Sequence, residues 1–209
     1  HSYDLVETLY PGSPCPQFSR KNSENKNAGL QALIGEEDCL FLNIWSPPNA
    51  VDLPVMLWIH GGGNTVGHGG NYSGAWLAAN REVVVVTINY RLGVFGWFNH
   101  PKLNSGDLTD RSGNFGTLDI IRSLEWVKEN IKEFGGNPDN VTIFGESAGG
   151  LNVLSMIASP LASGLFHKAI VQSGGLRLIP KKHASDFSNA GGHKNSSSEI
   201  LSKLLMQDG

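Results

Sequence analysis

Cysteine is nearly absent from this chain, with two thiols, Cys15 and Cys39, in 209 residues. That excludes a miniprotein held together by many disulfides. No Cys-x-x-Cys or His-x-x-x-His pair occurs, so the usual spacings of a zinc site are lacking and no metal is expected. An excess of one charge is lacking too. The net charge of −3 sets up no strong field to gather nucleic acid or an anionic membrane surface. No apolar run approaches the roughly 20 residues that a membrane-crossing helix needs, so no transmembrane segment is expected. The chain starts at His1 without an initiator Met or a basic-then-apolar leader. A mature exported chain and an internal piece of a longer one would both begin this way. What is plentiful is glycine, at 26 residues well above the usual share of about 7%. Such a supply suits tight turns between regular elements. With 40% hydrophobic and 17% charged residues, the profile is that of one globular domain with a real core.

An oxidised Cys15–Cys39 pair would close a loop of about two dozen residues, which typically stabilises by about 2–4 kcal/mol. Two unrelated buried thiols are the alternative. Asn-x-Ser/Thr tripeptides at Asn71, Asn140 and Asn195 carry little weight, because chance supplies them freely.

The hydrophobic pattern organises the rest. Residues 1–36 are polar, and 20–27 read as an exposed loop. Leu40 to Trp45 looks like a strand, followed by a turn at Pro48-Asn49. Val55-Met56-Leu57-Trp58-Ile59 is continuously apolar, as a strand buried on both faces should be. Val83-Val84-Val85-Val86-Thr87-Ile88 is almost wholly β-branched and reads as a second central strand. Then the period changes. Ile120, Leu124, Val127, Ile131 and Phe134 recur at spacings of four and three, one face of a helix that Gly135-Gly136-Asn137-Pro138 would stop. Val141-Thr142-Ile143-Phe144 is a short strand, residues 148–158 a helix, Lys168 to Gln172 a further strand, and Ile200, Leu201, Leu204 and Leu205 mark a last amphipathic helix. Strands alternating with helices predict an α/β fold, a mainly parallel central sheet covered on both faces.

Two motifs carry chemistry. Gly145-Glu146-Ser147-Ala148-Gly149 fits the G-x-S-x-G nucleophile elbow, between a strand and a helix as that motif requires. The sharp turn presents the serine hydroxyl at the carboxyl edge of the sheet, and the glycines let neighbouring backbone pass. His60-Gly61-Gly62-Gly63 follows the buried strand that ends at Ile59. Acyl transfer develops negative charge on the former carbonyl oxygen, and N–H groups of a glycine-rich loop can reach it without a Cβ in the way. A phosphate loop would need a Lys-Ser/Thr pair that this segment lacks.

With these residues in hand, the chain resembles the type-B carboxylesterase family, which includes cholinesterases and cholinesterase-like adhesion proteins. The resemblance runs in order through Glu37-Asp38-Cys39-Leu40-Phe41-Leu42-Asn43-Ile44-Trp45, Trp58-Ile59-His60-Gly61-Gly62-Gly63 and Asn89-Tyr90-Arg91-Leu92-Gly93-Val94-Phe95-Gly96. It continues through Gly113-Asn114-Phe115-Gly116, Asp119, Phe134-Gly135-Gly136-Asn137-Pro138, Val141 to Gly150 and Gln172-Ser173-Gly174.

The resemblance implies an α/β-hydrolase fold, incomplete here because later strands and helices of the family follow these segments. On that reading 1–209 is part of one catalytic domain: an N-terminal loop region 1–36, an α/β core 37–179, and a tail 180–209 that begins a further helix. Ser147 would be the nucleophile, Gly62, Gly63 and Ala148 the oxyanion-hole donors, and Glu146 a neighbour shaping the field around the catalytic histidine. Cys15 and Cys39 would form the family's first disulfide, which implies an exported protein. Asp119 would be a structural carboxylate. The substrate would be a small carboxylic ester, and no organic cofactor is implied.

The family's acid and histidine follow the serine at long range. His167, His183 and His193, with Asp186 and Glu199, are what this chain offers after Ser147, and none matches the family's base. A segment without its later strands would expose one sheet edge and be poorly stable and nearly inactive alone. Asn64 stands where an aromatic residue is common after the glycine triplet, and Ile120 where Gln is common. The competing readings are a cholinesterase-like adhesion protein with a dead site, or a truncated pseudoenzyme.

Overall fold

The computed structural model describes residues 9–19, 32–100, 102, 106–175 and 180–207. Seven strands and six α-helices alternate along them: β1 Gln17–Phe18, β2 Leu33–Ile34, β3 Leu42–Trp45, β4 Leu53–Ile59, α1 Ala75–Arg81, β5 Val84–Ile88, α2 Gly93–Gly96, α3 Phe115–Asn130, β6 Gly136–Glu146, α4 Ala148–Ala158, β7 Lys168–Gln172, α5 Lys181–Ser185 and α6 Ser197–Gln207. The exposed loop expected over 20–27 lies outside the described residues.

Five strands form one sheet in the order β3-β5-β4-β6-β7, with β1 and β2 as a separate antiparallel pair. Only β3 runs antiparallel, against β5; the β5–β4, β4–β6 and β6–β7 ladders are parallel. The sheet is thus the mainly parallel one the alternation predicts, and α1 and α3 supply crossovers between its parallel strands.

Pleat alternation sorts the side chains. Val55, Leu57, Ile59, Val84, Val86, Ile88, Val141 and Ile143 join Ile120, Leu124 and Val127 of α3 and Val153 and Met156 of α4 in one buried core. Ile120, where Gln is common, is fully buried there. On the other face Val85 and Trp45 meet the start of α1, where a Cβ on Gly74 would lie 2.6 Å from a Val85 methyl and 2.8 Å from the Trp45 ring. Trp58 packs on that side between Tyr72 and Phe144, with centroids 5.2 and 4.9 Å away.

Several boundaries differ from those the sequence predicts: β3 begins at Leu42 and not Leu40, β4 at Leu53 and not Val55, and β6 runs from Gly136 to Glu146 and not from Val141 to Phe144. The 4,3-periodic helix begins at Phe115, and its last turn, Ile131–Phe134, winds as a 3₁₀ helix that ends at Gly135 in left-handed backbone, φ 77°. Asn137 and Pro138 do not end in a loop but lie within β6, which has an irregular register opposite Leu53–Val55. Because the register is broken there, a proline removes no regular ladder bond.

The N-terminal segment is tied down by a disulfide. Cys15 and Cys39 are bonded and buried, with a Cα–Cα distance of 4.8 Å. Two buried amides stitch this region to the sheet. Asn89, past the end of β5, donates to the carbonyls of Ser13 and Cys39 and accepts from Gly69 N–H. Gln17 donates to the carbonyls of Cys15 and Gly67 and accepts from Gly67 N–H. Among the described residues no helix is long and apolar enough to cross a membrane.

Candidate functional site

β4 and β6 are adjacent parallel strands, so their carboxyl ends open side by side. The β4 end releases His60 to Gly63, and the β6 end releases Ser147. A crevice at the carboxyl ends of central parallel strands is where α/β sheets present chemistry.

Ser147 has φ 58° and ψ −120°, a backbone conformation that costs a non-glycine residue about 1–3 kcal/mol. Its N–H donates to Gln172 O at the end of β7, 2.9 Å away, and its carbonyl accepts from Leu151 N–H in α4. The turn is possible only because its neighbours lack side chains. A Cβ on Gly149 would sit 2.0 Å from Ile59 O, and one on Gly145 2.6 Å from the Gly149 carbonyl. Gly150 would meet Gln172 O at 2.8 Å. The serine is exposed, with Ala148, Gly149 and Gly150 buried behind it.

The glycine loop passes across this elbow. A Cβ on Gly61 would come 2.7 Å from Glu146 O and 3.3 Å from Ser147 Cβ, so Gly61 is required by the backbone carbonyl just before the serine. Sequence reasoning placed Gly61 in the motif but gave a role only to Gly62 and Gly63; the constraint on Gly61 comes from Glu146, 85 positions away. Gly62 and Gly63 have φ of 109° and 65°, and Gly62 O closes a turn by accepting from Thr65 and Val66 N–H. Among the described residues no protein acceptor takes the N–H of Gly62 or Gly63. Ala148 holds the first position of α4, where an N–H has no intrahelical partner and the helix end is electropositive. Glu146 is exposed beside the serine, its carboxylate 3.3 Å from the point a Gly61 Cβ would occupy.

His60 is fully buried and stacked on Tyr90, centroids 4.3 Å apart, with Nδ1 2.8 Å from Gly61 O. Burial pushes its pKa down to about 4, so the imidazole is neutral at pH 7. A neutral ring donates from Nδ1 to that carbonyl and leaves Nε2 without a partner among the described residues. The Tyr90 hydroxyl donates to His60 O at 2.5 Å, and burial holds its phenol far above the ordinary range.

The remaining candidates are placed apart from the serine. His167 Nδ1 accepts from Val141 N–H, in register with the amino-terminal start of β7 and five residues before Glu146 at the carboxyl end of β6. At about 3.3 Å per residue that puts it at the wrong end of the sheet. His183 and His193 face each other at 5.3 Å and border a cleft of about 1150 Å³ with Gly93, Trp97 and Asn114; Ser147 does not line it. Ser147, with its strained backbone and the glycine loop laid against it, is the better candidate than this cleft. Glu199 accepts from Ser188, which holds its carboxyl below the usual range. Asp186 accepts from the neighbouring Ser185 hydroxyl. Asp119 is buried and takes both a bidentate Arg91 guanidinium, at 2.6 and 2.8 Å, and Arg91 N–H. That is the structural carboxylate expected of it, and the same pairing raises the Arg91 pKa. No group of three or more His, Cys, Asp or Glu that could hold a metal is found among the described residues.

The model of the carboxylesterase family matches residues 3–207. The chain is 45% identical over 190 residues to para-nitrobenzyl esterase of Bacillus subtilis, covering 90% of this chain and 37% of that protein. It is 51% identical over 172 residues to cocaine esterase of Oryctolagus cuniculus, covering 81% and 29%. Among solved structures, a thermophilic para-nitrobenzyl esterase superposes with a TM-score of 0.72 at 41% identity, over 94% of this chain and 41% of that one. The chain therefore spans about a third of the length of the curated relatives it matches.

Proposed function

This chain belongs to the carboxylesterase family, and we propose that the protein containing it hydrolyses carboxylic esters through an acyl intermediate on Ser147 Oγ. The observation that carries the reading is the strained Ser147 at the β6–α4 elbow with the Gly61–Gly63 loop laid across it. In this scheme the Ser147 oxygen attacks the ester carbonyl carbon, giving up its proton to a histidine base. The carbonyl oxygen becomes an oxyanion and accepts hydrogen bonds from the N–H groups of Gly62, Gly63 and Ala148. Collapse expels the alcohol, which takes that proton, and leaves the acyl group on Ser147. Water repeats the attack and releases the carboxylic acid. Glu146 adds negative potential beside the imidazolium that forms.

The base is proposed to follow these residues in the chain, in the family order of serine, acid, histidine. This assignment is supported by the placement of His60 in the core, His167 at the opposite sheet end and His183 and His193 at a separate cleft. The 1–209 segment is then one part of a larger catalytic domain, poorly active by itself. The buried Cys15–Cys39 bond suits an oxidising compartment, so we propose export.

A tagged fluorophosphonate, which reacts with activated serines, tests the reading in an extract of the source. Labelling at Ser147 in a protein much larger than this segment is the expected outcome. An abundant but unlabelled protein would instead mean an adhesion protein or pseudoenzyme.

A further inference from the structure

Gly61, Gly62 and Gly63 have no side chains by which their position could be fixed, and glycine gives the backbone the widest freedom. Yet a set of oxyanion donors works only if it is held in place before the substrate arrives. The first side chain after the triplet is Asn64. It continues the left-handed run with φ 57°, a conformation that asparagine tolerates better than most residues. Its Oδ1 accepts from Asn152 Nδ2 at 3.0 Å and lies 3.4 Å from the Tyr90 oxygen, and its carbonyl accepts from Gly93 N–H at 2.7 Å.

Asn152 is buried in α4, five residues after Ser147 and on the helix that Ser147 begins. The Asn64–Asn152 bond therefore joins the glycine loop to the element carrying the nucleophile. At the other end of the loop, Tyr90 grips His60 by stacking and through the His60 carbonyl. The three glycines are held between two fixed points, and the Tyr90 oxygen, bonded to His60 O and 3.4 Å from Asn64 Oδ1, lies against both.

We propose that Asn64 and Asn152 form a positioning pair that sets the donors of Gly62 and Gly63 relative to Ser147. The proposal rests on the serine-esterase reading above. A phenylalanine or tryptophan at position 64 could not accept from Asn152, so the pair is a feature of this sequence and not a requirement of the glycine motif. A positioning role makes two demands. Loss of the pair should slow turnover and leave substrate affinity alone, because aligned donors matter most when the oxyanion forms. The two residues should also act as a unit, because each works through the other.

The test uses the complete protein with p-nitrophenyl acetate as substrate. Asn64→Gly keeps the left-handed backbone accessible and removes only the amide; Asn152→Ala removes its partner, and Asn152→Ser is the milder replacement should the alanine variant not fold. Each single variant is expected to lose about tenfold in kcat with KM changed less than about twofold. The double variant is expected to lose about tenfold as well, not a hundredfold. Single variants with parental kcat, a change confined to KM, or a double variant that loses the product of the two singles would each overturn the assignment. Ser147→Ala is measured alongside. Turnover that survives in it would sink the esterase reading itself, whereas its abolition with unaffected amide variants would sink only the positioning pair.

Discussion

β5 and β7 are five-residue strands with apolar β-branched centres, and they meet opposite fates. β5, between β3 and β4, is buried at all five positions, whereas β7, paired among the described residues on one side only, is exposed at all five. Ile170 and Val171 remain 44% and 36% accessible. Burial is thus conferred by what covers a strand and not by its own composition. The candidate site lies between these regimes. Its elbow leaves β6 and is held by Ile59 on the packed side and by Gln172 on the open side.

The sharpest way to break the comparison uses two serines. Ser147 and Ser173 follow neighbouring parallel strands, and both have positive φ, 58° and 51°. Only Ser147 starts a helix beneath the glycine loop. In the complete protein Ser147→Ala is expected to lower esterase turnover by more than about 10⁴-fold and abolish fluorophosphonate labelling. Ser173→Ala should leave labelling intact. Equal losses would mean that strand-end strain, and not the converging donors, is the shared requirement.

Two glycines give the next largest effect. Gly149→Ala places a methyl 2.0 Å from Ile59 O, and backbone cannot swing aside as a flexible side chain can. The cost should exceed about 4 kcal/mol, enough to prevent recovery of folded protein. Gly175, past the β7 end, has nothing among the described residues within 4 Å of the same added methyl, so Gly175→Ala should shift the urea midpoint by an amount equivalent to less than about 0.5 kcal/mol.

The same division decides what was legible in the sequence. The continuous runs of β4 and β5 and the 4,3 spacing of α3 announce their own burial, because pattern and packing agree. The elbow was legible too, since a strand and a helix flank Ser147. The two-residue strands β1 and β2 carry no periodicity to read. Gly93–Gly96 is a poor helix former wound by its surroundings, and α1 is too short to show a stripe. The buried amides of Gln17, Asn89 and Asn152 were invisible for a further reason. Each is paid for by partners far along the chain, such as Gly67 or Asn64, and one polar residue carries no sign of which distant partner will satisfy it.

His60 offers a pH test of the packed side. Its pKa is pushed down to about 4 by burial, from 6.5 in the unfolded chain. Between those values the unfolded state binds the extra proton, so stability rises with pH and is lost as pH falls from 6.5 toward 4. The full loss amounts to about 3 kcal/mol. Urea midpoints at pH 7.5 and 4.5 should differ accordingly, and His60→Gln should flatten the difference. A slope that survives His60→Gln would place the titrating group elsewhere.

The smallest effect returns to the two strands. Val86→Ala in β5 removes two methyl groups from a fully enclosed site flanked by Ile44 and Leu57, which should cost about 2 kcal/mol. Val171→Ala in β7 removes the same atoms from a partly wet surface and should cost less than about 0.5 kcal/mol if that face stays uncovered. The second number is the informative one. In the complete protein, a Val171→Ala penalty approaching that of Val86 would mean that further chain covers β7 and turns it into a central strand. A penalty that stays small would mean that the open edge belongs to the working fold.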